Sequence, residues 1–186
     1  KSIYGFSKYS SEHLIREFSF LYKIKYIINR LGVISGPWQF GRQDQGFVSL
    51  WVWKHINRKK LSYIGFGGKG SQIRDVVHIT DVCKLISTQI KKINKINNLT
   101  LNAGGGIKNF ISLRDLTNIC QKITSNKIKI FSKKTTSEYD IPYYVTNNLK
   151  IKKIYNWYPQ KNILDIVKDI YKWMMINKKI LKKYIK

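Results

Sequence analysis

The chain has 186 residues, enough for one sizeable core or one core with a small lobe. With 43% hydrophobic residues it is globular rather than disordered, and no apolar run is long enough to span a bilayer. Lys and Arg number 35 against 10 Asp and Glu, a net charge of +25 that invites a nucleic-acid reading; yet the excess is mostly lysine scattered among isoleucine and asparagine, and a genome biased to A/T-rich codons gives the same surplus.

In chain order, residues 9–22 read as an amphipathic helix with Leu14, Phe18 and Leu21 on one side. Tyr26–Leu31 reads as a buried strand, and helix followed by strand is an α/β signal. Gly36-Pro37 breaks the chain, and Trp38–Gly46 is a loop. Phe47–Ile56 reads as a helix carrying Trp51 and Trp53, and Leu61–Phe66 as a strand ended by Gly67-Gly68. Val76–Ile79 is a short strand, after which Thr80 is expected to cap a helix from Asp81 to about Lys92. Leu99–Asn102 is a strand that runs into Gly104-Gly105-Gly106, an ordinary turn without dinucleotide-loop spacing. Ser112 with Asp115 resembles a capping box for a helix to about Thr124. Ile128–Phe131 alternates like a strand, and Pro142–Val145 is a candidate for another. Residues 147–155 and 162–176 read as helices, and the lysine-rich end is expected to fray. Trp51, Trp53, Trp157 and Trp173 read as packing residues.

Cys83 and Cys120 sit singly among apolar residues and read as two buried free thiols of a reducing cytosol. His13, His55 and His78 have no metal-ligand spacing, so no zinc site is expected.

The chemistry concentrates near the start. Tyr4 and Lys8 stand four residues apart, so on a helix they share one face. A cation beside a phenol favours its ionised form, which can take a proton from a sugar hydroxyl. Taken alone the spacing is weak and fits a surface helix start equally well. Three further stretches follow in order: Asn29-Arg30-Leu31-Gly32-Val33-Ile34-Ser35-Gly36-Pro37, then Arg74-Asp75-Val76-Val77-His78-Ile79-Thr80-Asp81, then Trp157-Tyr158-Pro159. With Tyr4-Gly5-Phe6-Ser7-Lys8 and Glu12, they make the chain resemble the extended short-chain dehydrogenase/reductase family of nucleotide-sugar epimerases and dehydratases. Gly36-Pro37-Trp38-Gln39-Phe40-Gly41, Asp44-Gln45-Gly46-Phe47-Val48 and Gly65-Phe66-Gly67-Gly68 resemble its CDP-paratose 2-epimerase (CDP-tyvelose epimerase) branch.

The resemblance implies an α/β fold: the C-terminal part of a Rossmann-like domain with a small substrate-binding lobe. Residues 1–35 would belong to the NAD-binding domain and 36–186 mainly to the lobe, with segments around 75–105 returning to the first. Tyr4 would be the general base, and Lys8 would hold the ribose of NAD. Leu31, Gly32 and Val33 would line the nicotinamide side, while Gln45, Gly46, Phe47, Arg74 and Asp140 would bind the nucleotide sugar. Arg74 suits a diphosphate through its planar fork, against the plainer reading of an ion pair with Asp75 or Asp81. Val33 and Ser137 stand where many members carry an asparagine and an arginine, so Lys133 or Lys134 would have to replace the latter.

The family's upstream Ser/Thr and its glycine-rich pyrophosphate turn are absent from this sequence. The chain, which begins at Lys1 rather than Met, is therefore expected to be the C-terminal part of a longer cytoplasmic enzyme. Its expected partners are an N-terminal half in the same or a separate chain, a nucleotide-sugar substrate and a second copy of the enzyme. No nucleic acid, membrane or metal is expected among them. Alone, this part is expected to be inactive; another NDP-sugar epimerase, a 4,6-dehydratase, a basic nucleic-acid-binding module, and a degenerate remnant or half of a split gene stay open as alternatives.

Overall fold

Parallel strand pairs organise the chain, which is an α/β protein. The computed structural model describes residues 2–42 and 45–185; Lys1 and Asp44, both noted in the sequence, lie outside them. Helix α1, Ile3–Tyr22, leads into strand β1, Ile27–Leu31. β1 pairs in parallel with β5, Leu99–Ala103, from Ile27 opposite Leu99 to Leu31 opposite Ala103. The Gly32 amide then donates to the Ala103 carbonyl at 2.9 Å. Immediately afterwards β2, Val33–Ser35, pairs in parallel with β4, Ile73–His78. Gly32 is thus the point where the chain passes from one strand pair to the next.

β4 lies between β2 and the antiparallel β6, Phe110–Ser112, and its Ile73 and Arg74 also pair with β8, Tyr143–Tyr144. β3, Leu61–Ile64, pairs in parallel with β7, Ile130–Lys133. The larger apolar cluster joins α2 (Phe47–Ile56), α4 (Leu113–Thr124) and α6 (Ile163–Ile176). Inside it Thr117 acts as a polar peg. Its hydroxyl receives the Trp51 indole N–H at 3.0 Å and the Tyr63 hydroxyl at 2.8 Å, and donates to the Leu113 carbonyl. That explains how a threonine is buried without an unmet hydrogen bond. A second cluster packs Leu85 of α3 (Ile79–Lys92) and Ile151 and Tyr155 of α5 (Leu149–Tyr155) against Leu101 and Ala103 of β5.

Several local expectations are corrected. α1 starts at Ile3 rather than residue 9, because Ser2 caps it, and it buries none of its residues. The cap of α3 is His78, not Thr80: its Nδ1 accepts the Thr80 amide at 3.1 Å. β7 lies two residues later than expected, because its register with β3 begins at Ile130. Trp157, by contrast, packs against the second cluster as expected, and its indole N–H donates to the Asp81 carbonyl at 3.1 Å. Cys83 is exposed while Cys120 is buried, since Val82 and Leu85 take the inward positions of α3. The lysine-rich end does not fray but forms α7, Lys178–Tyr184. Leu181 and Ile185, four residues apart, reach the larger cluster and leave the lysines outside. No helix of the described residues is long and apolar enough to cross a membrane.

The fold is tight around Asp75. This carboxylate has no solvent exposure and accepts the Gly106 amide at 2.9 Å. A Cβ on Gly104 would overlap both Asp75 Oδ2 and Thr146 Oγ1 and lie 2.7 Å from Thr146 Cβ. Gly104→Ala should therefore destabilise the protein by about 1–3 kcal/mol, the usual scale of overpacking, read by denaturant unfolding. His55 and His78 are also buried, and burial lowers both below the ordinary histidine value of 6.5. The unfolded chain therefore takes up protons first on acidification. Their stabilising contribution is complete above about pH 6.5 and is lost as pH falls through the lower folded values. The melting temperature should drop between pH 7.5 and pH 5; a flat profile would contradict this.

Candidate active site

Because Ser2 accepts the Gly5 amide at 3.0 Å, α1 starts early enough to hold both Tyr4 and Lys8. The Lys8 ammonium lies 5.5 Å from the Tyr4 ring centroid, a cation–π distance. Tyr4 is 72% exposed, so its hydroxyl is open to a ligand. Among the described residues no carboxylate forms an ion pair with Lys8. Ser7 donates to the Tyr4 carbonyl at 2.8 Å, a bond internal to the helix.

Two contacts orient α1 against the sheet. Glu12 meets Arg30 near the end of β1, and Arg16 meets Thr100 near the start of β5. α1 therefore runs antiparallel to these strands. Tyr4 stands eight residues before Glu12, which on a helix is roughly 12 Å further along the axis. The phenol thus overhangs the C-terminal ends of β1 and β5, the end at which open α/β sheets bind ligands.

The same end gathers other candidates. Leu31 closes β1, Gly32 bridges to Ala103, and Val33 opens β2. Asp75 packs behind Gly32, where an added Cβ would lie 3.1 Å from the carboxylate. Arg74, the neighbour of Asp75 in β4, takes the opposite face of the strand. Its Nη2 binds Asp140 Oδ1 at 2.5 Å and its Nη1 the Ile73 carbonyl at 2.7 Å. Arg74 and Asp140 are therefore brought together, 66 residues apart in sequence, while Asp75 and Asp81, the partners of the plainer ion-pair reading, are both engaged elsewhere. Asp81 accepts the Gln160 and Lys161 amides at 3.0 and 3.1 Å, which ties the start of α3 to the chain before α6.

Gln45, Gly46 and Phe47 sit at the start of α2. Gln45 is exposed, Gly46 takes a left-handed φ of 73°, and Phe47 leans on the larger apolar cluster. Gln39, to which the sequence assigns no role, holds the loop before them. Its amide N–H donates to the Ile34 carbonyl at 3.0 Å, and its carbonyl accepts the hydroxyls of Ser35 and Ser49. Asn148 is a second unforeseen clasp, exchanging two hydrogen bonds with the Gly104 backbone at 3.0 and 2.8 Å. Among the described residues, no hydrogen bond or ion pair links Tyr4 or Lys8 to Arg74 or Asp140.

For a dinucleotide, these residues fit one end. The exposed Tyr4–Lys8 pair above a strand end narrowed by Gly32 and Gly104 leaves backbone and cation accessible to a ribose and a flat ring. No glycine-rich turn in the chain would cradle the pyrophosphate.

The chain is 28% identical over 174 residues to the CDP-paratose 2-epimerase of Salmonella typhi, covering 92% of this chain and 51% of that protein. It is 29% identical over 177 residues to a putative UDP-glucose 4-epimerase of Methanocaldococcus jannaschii, covering 95% of this chain and 54% of the relative. The chain thus spans about half the length of the curated relatives it matches. The fold superposes on the crystal structure of UDP-glucose 4-epimerase from Thermotoga maritima with a TM-score of 0.81 at 22% identity, over 96% of this chain and 54% of that one. Residues 1–104, which include Tyr4, Lys8, the Leu31–Val33 strand end and Arg74, match the family model itself, and the chain belongs to the NAD dependent epimerase/dehydratase family.

Proposed function

We propose that this chain forms the base-bearing, substrate-facing side of a NAD-dependent nucleotide-sugar epimerase site, with CDP-paratose, inverted at C2, as the substrate. The observation that carries the reading is the Lys8 ammonium 5.5 Å from the Tyr4 ring, on a helix end that overhangs the C-terminal ends of β1 and β5. The choice of sugar rests on the likeness to the Salmonella typhi enzyme. A companion dinucleotide-binding segment, in the same or a separate chain, completes the site. Support for it comes from the half-length match to relatives and from the missing pyrophosphate turn.

NAD, held by Lys8 and the Leu31–Val33 strand end, would supply the reversible hydride acceptance that this chemistry needs. Tyr4 removes the proton of the hydroxyl on the reacting sugar carbon and gives it back when the ketone is reduced on its opposite face. Lys8, beside the phenol, holds the ribose and favours the anionic form of the base. Leu31, Gly32 and Val33 form the wall behind the flat ring. Arg74 receives the diphosphate with its fork, and Asp140 keeps the guanidinium extended towards it until the substrate arrives. Gln45 and Phe47 flank the nucleotide at the start of α2, and Gly46 lets the backbone approach it.

The test is Tyr4→Phe in the active protein, with the dinucleotide-binding segment present. Turnover should fall at least ~100-fold, the usual scale for losing a general base, with little change in melting temperature because Tyr4 is exposed. Turnover within a few-fold of the parent would remove Tyr4 from the base role.

A further inference from the structure

The helix that carries Tyr4 and Lys8 adds no buried side chain to either apolar cluster. None of its residues is buried, and Leu14, Phe18 and Leu21 are 58%, 48% and 63% exposed. Its firm ties to the sheet are polar. The Glu12 carboxylate receives Arg30 Nε and Nη2, each at 2.7 Å, in a two-pronged charge-assisted bond. Arg16 Nη2 lies 3.5 Å from the same carboxylate and donates to Thr100 Oγ1 at 3.1 Å. The Glu12 side chain is only 12% exposed while that of Arg30 is 49% exposed, so the carboxylate half of the pair is shielded and the guanidinium half faces solvent.

Tyr4, Lys8, Glu12 and Arg16 recur every four residues, so they form one slowly winding stripe along α1. The stripe that meets the sheet is the stripe that carries the phenol and the ammonium. Whatever fixes the rotation of α1 about its axis also aims Tyr4 and Lys8. We infer that the Glu12–Arg30 pair is the positioning device of this helix: it sets the rotation of α1 so that Tyr4 and Lys8 overhang the ends of β1 and β5. The inference rests on the reading of Tyr4 as the base. Glu12 and Arg30 touch no reacting atom and act only through the helix.

The decisive experiment is a charge swap in the active protein: Glu12→Arg, Arg30→Glu and the two together. Each single change should lower kcat at least about tenfold, the scale expected when a catalytic group is misplaced, and leave KM for the nucleotide sugar within about twofold. The double swap restores the pair with opposite polarity and should recover kcat to within a few-fold of the parent. A second readout does not depend on turnover. Spin labels on Ser10→Cys and the exposed native Cys83 report the distance from α1 to α3, while Cys120 is buried, its thiol pushed up by burial, and stays unlabelled. That distance distribution should broaden in each single variant and narrow again in the double. Unchanged kcat and unchanged distances in the single variants would overturn the inference, as would a double swap that restores neither. Tyr4→Phe, run alongside, separates the two readings. If it abolishes turnover while the single swaps do not, the positioning role alone fails; if it leaves turnover intact, the base reading fails first.

Discussion

Burying the Asp75 carboxylate is the constraint on which the candidate site depends. β4 carries it into a space without solvent, and the backbone around it gives way: Gly32 on one side, Gly104 on another, and the Gly106 amide as its hydrogen-bond donor. A charge placed there without such a donor would cost several kcal/mol. Because a strand alternates its faces, sending Asp75 inward sends Arg74 the other way, to meet Asp140. The same glycines bring the ends of β1 and β5 against β4. Gly32 and Arg74 thus lie on either side of one buried residue.

The charge of the chain reads differently once its acidic residues are located. Glu12 ties α1 to β1, Asp140 holds Arg74, and Asp169 meets both Lys161 and His78. Asp81 accepts two loop amides, while Asp115 and Asp165 serve at the starts of α4 and α6. These carboxylates are spent on internal ties, while many lysines stay on the surface, α7 being the plainest case. With a net charge of +25, the field of that surface favours anionic ligands.

Much of this was legible in the sequence, for physical reasons that differ by element. α2 matches its expected limits, Phe47–Ile56, because its apolar pattern is strong and Gly46 stands at its start. Ser112 caps α4 as its spacing with Asp115 predicts. The Tyr4–Lys8 relation was readable because it is local to one helix turn. What escaped was set by distant partners. Asp140 meets Arg74 across 66 residues, and Asn148 clasps Gly104 across 44. The packing of α7 could not be seen in a lysine-rich run, since only Leu181 and Ile185 reveal it once the core is known. His78 displaced Thr80 as a cap because an imidazole nitrogen in the right place does the work of a hydroxyl.

The central claim is that the Tyr4 end of α1 directs a reversible oxidation of a nucleotide sugar. Its most direct test is to incubate the active protein with NAD and CDP-paratose in deuterium oxide and follow C2 of the sugar by NMR. The account predicts CDP-tyvelose that retains its original C2 hydrogen, because the hydride that leaves this carbon is the one returned to it. An epimer carrying solvent deuterium at C2, a dehydrated sugar, or no conversion of CDP-paratose would contradict it.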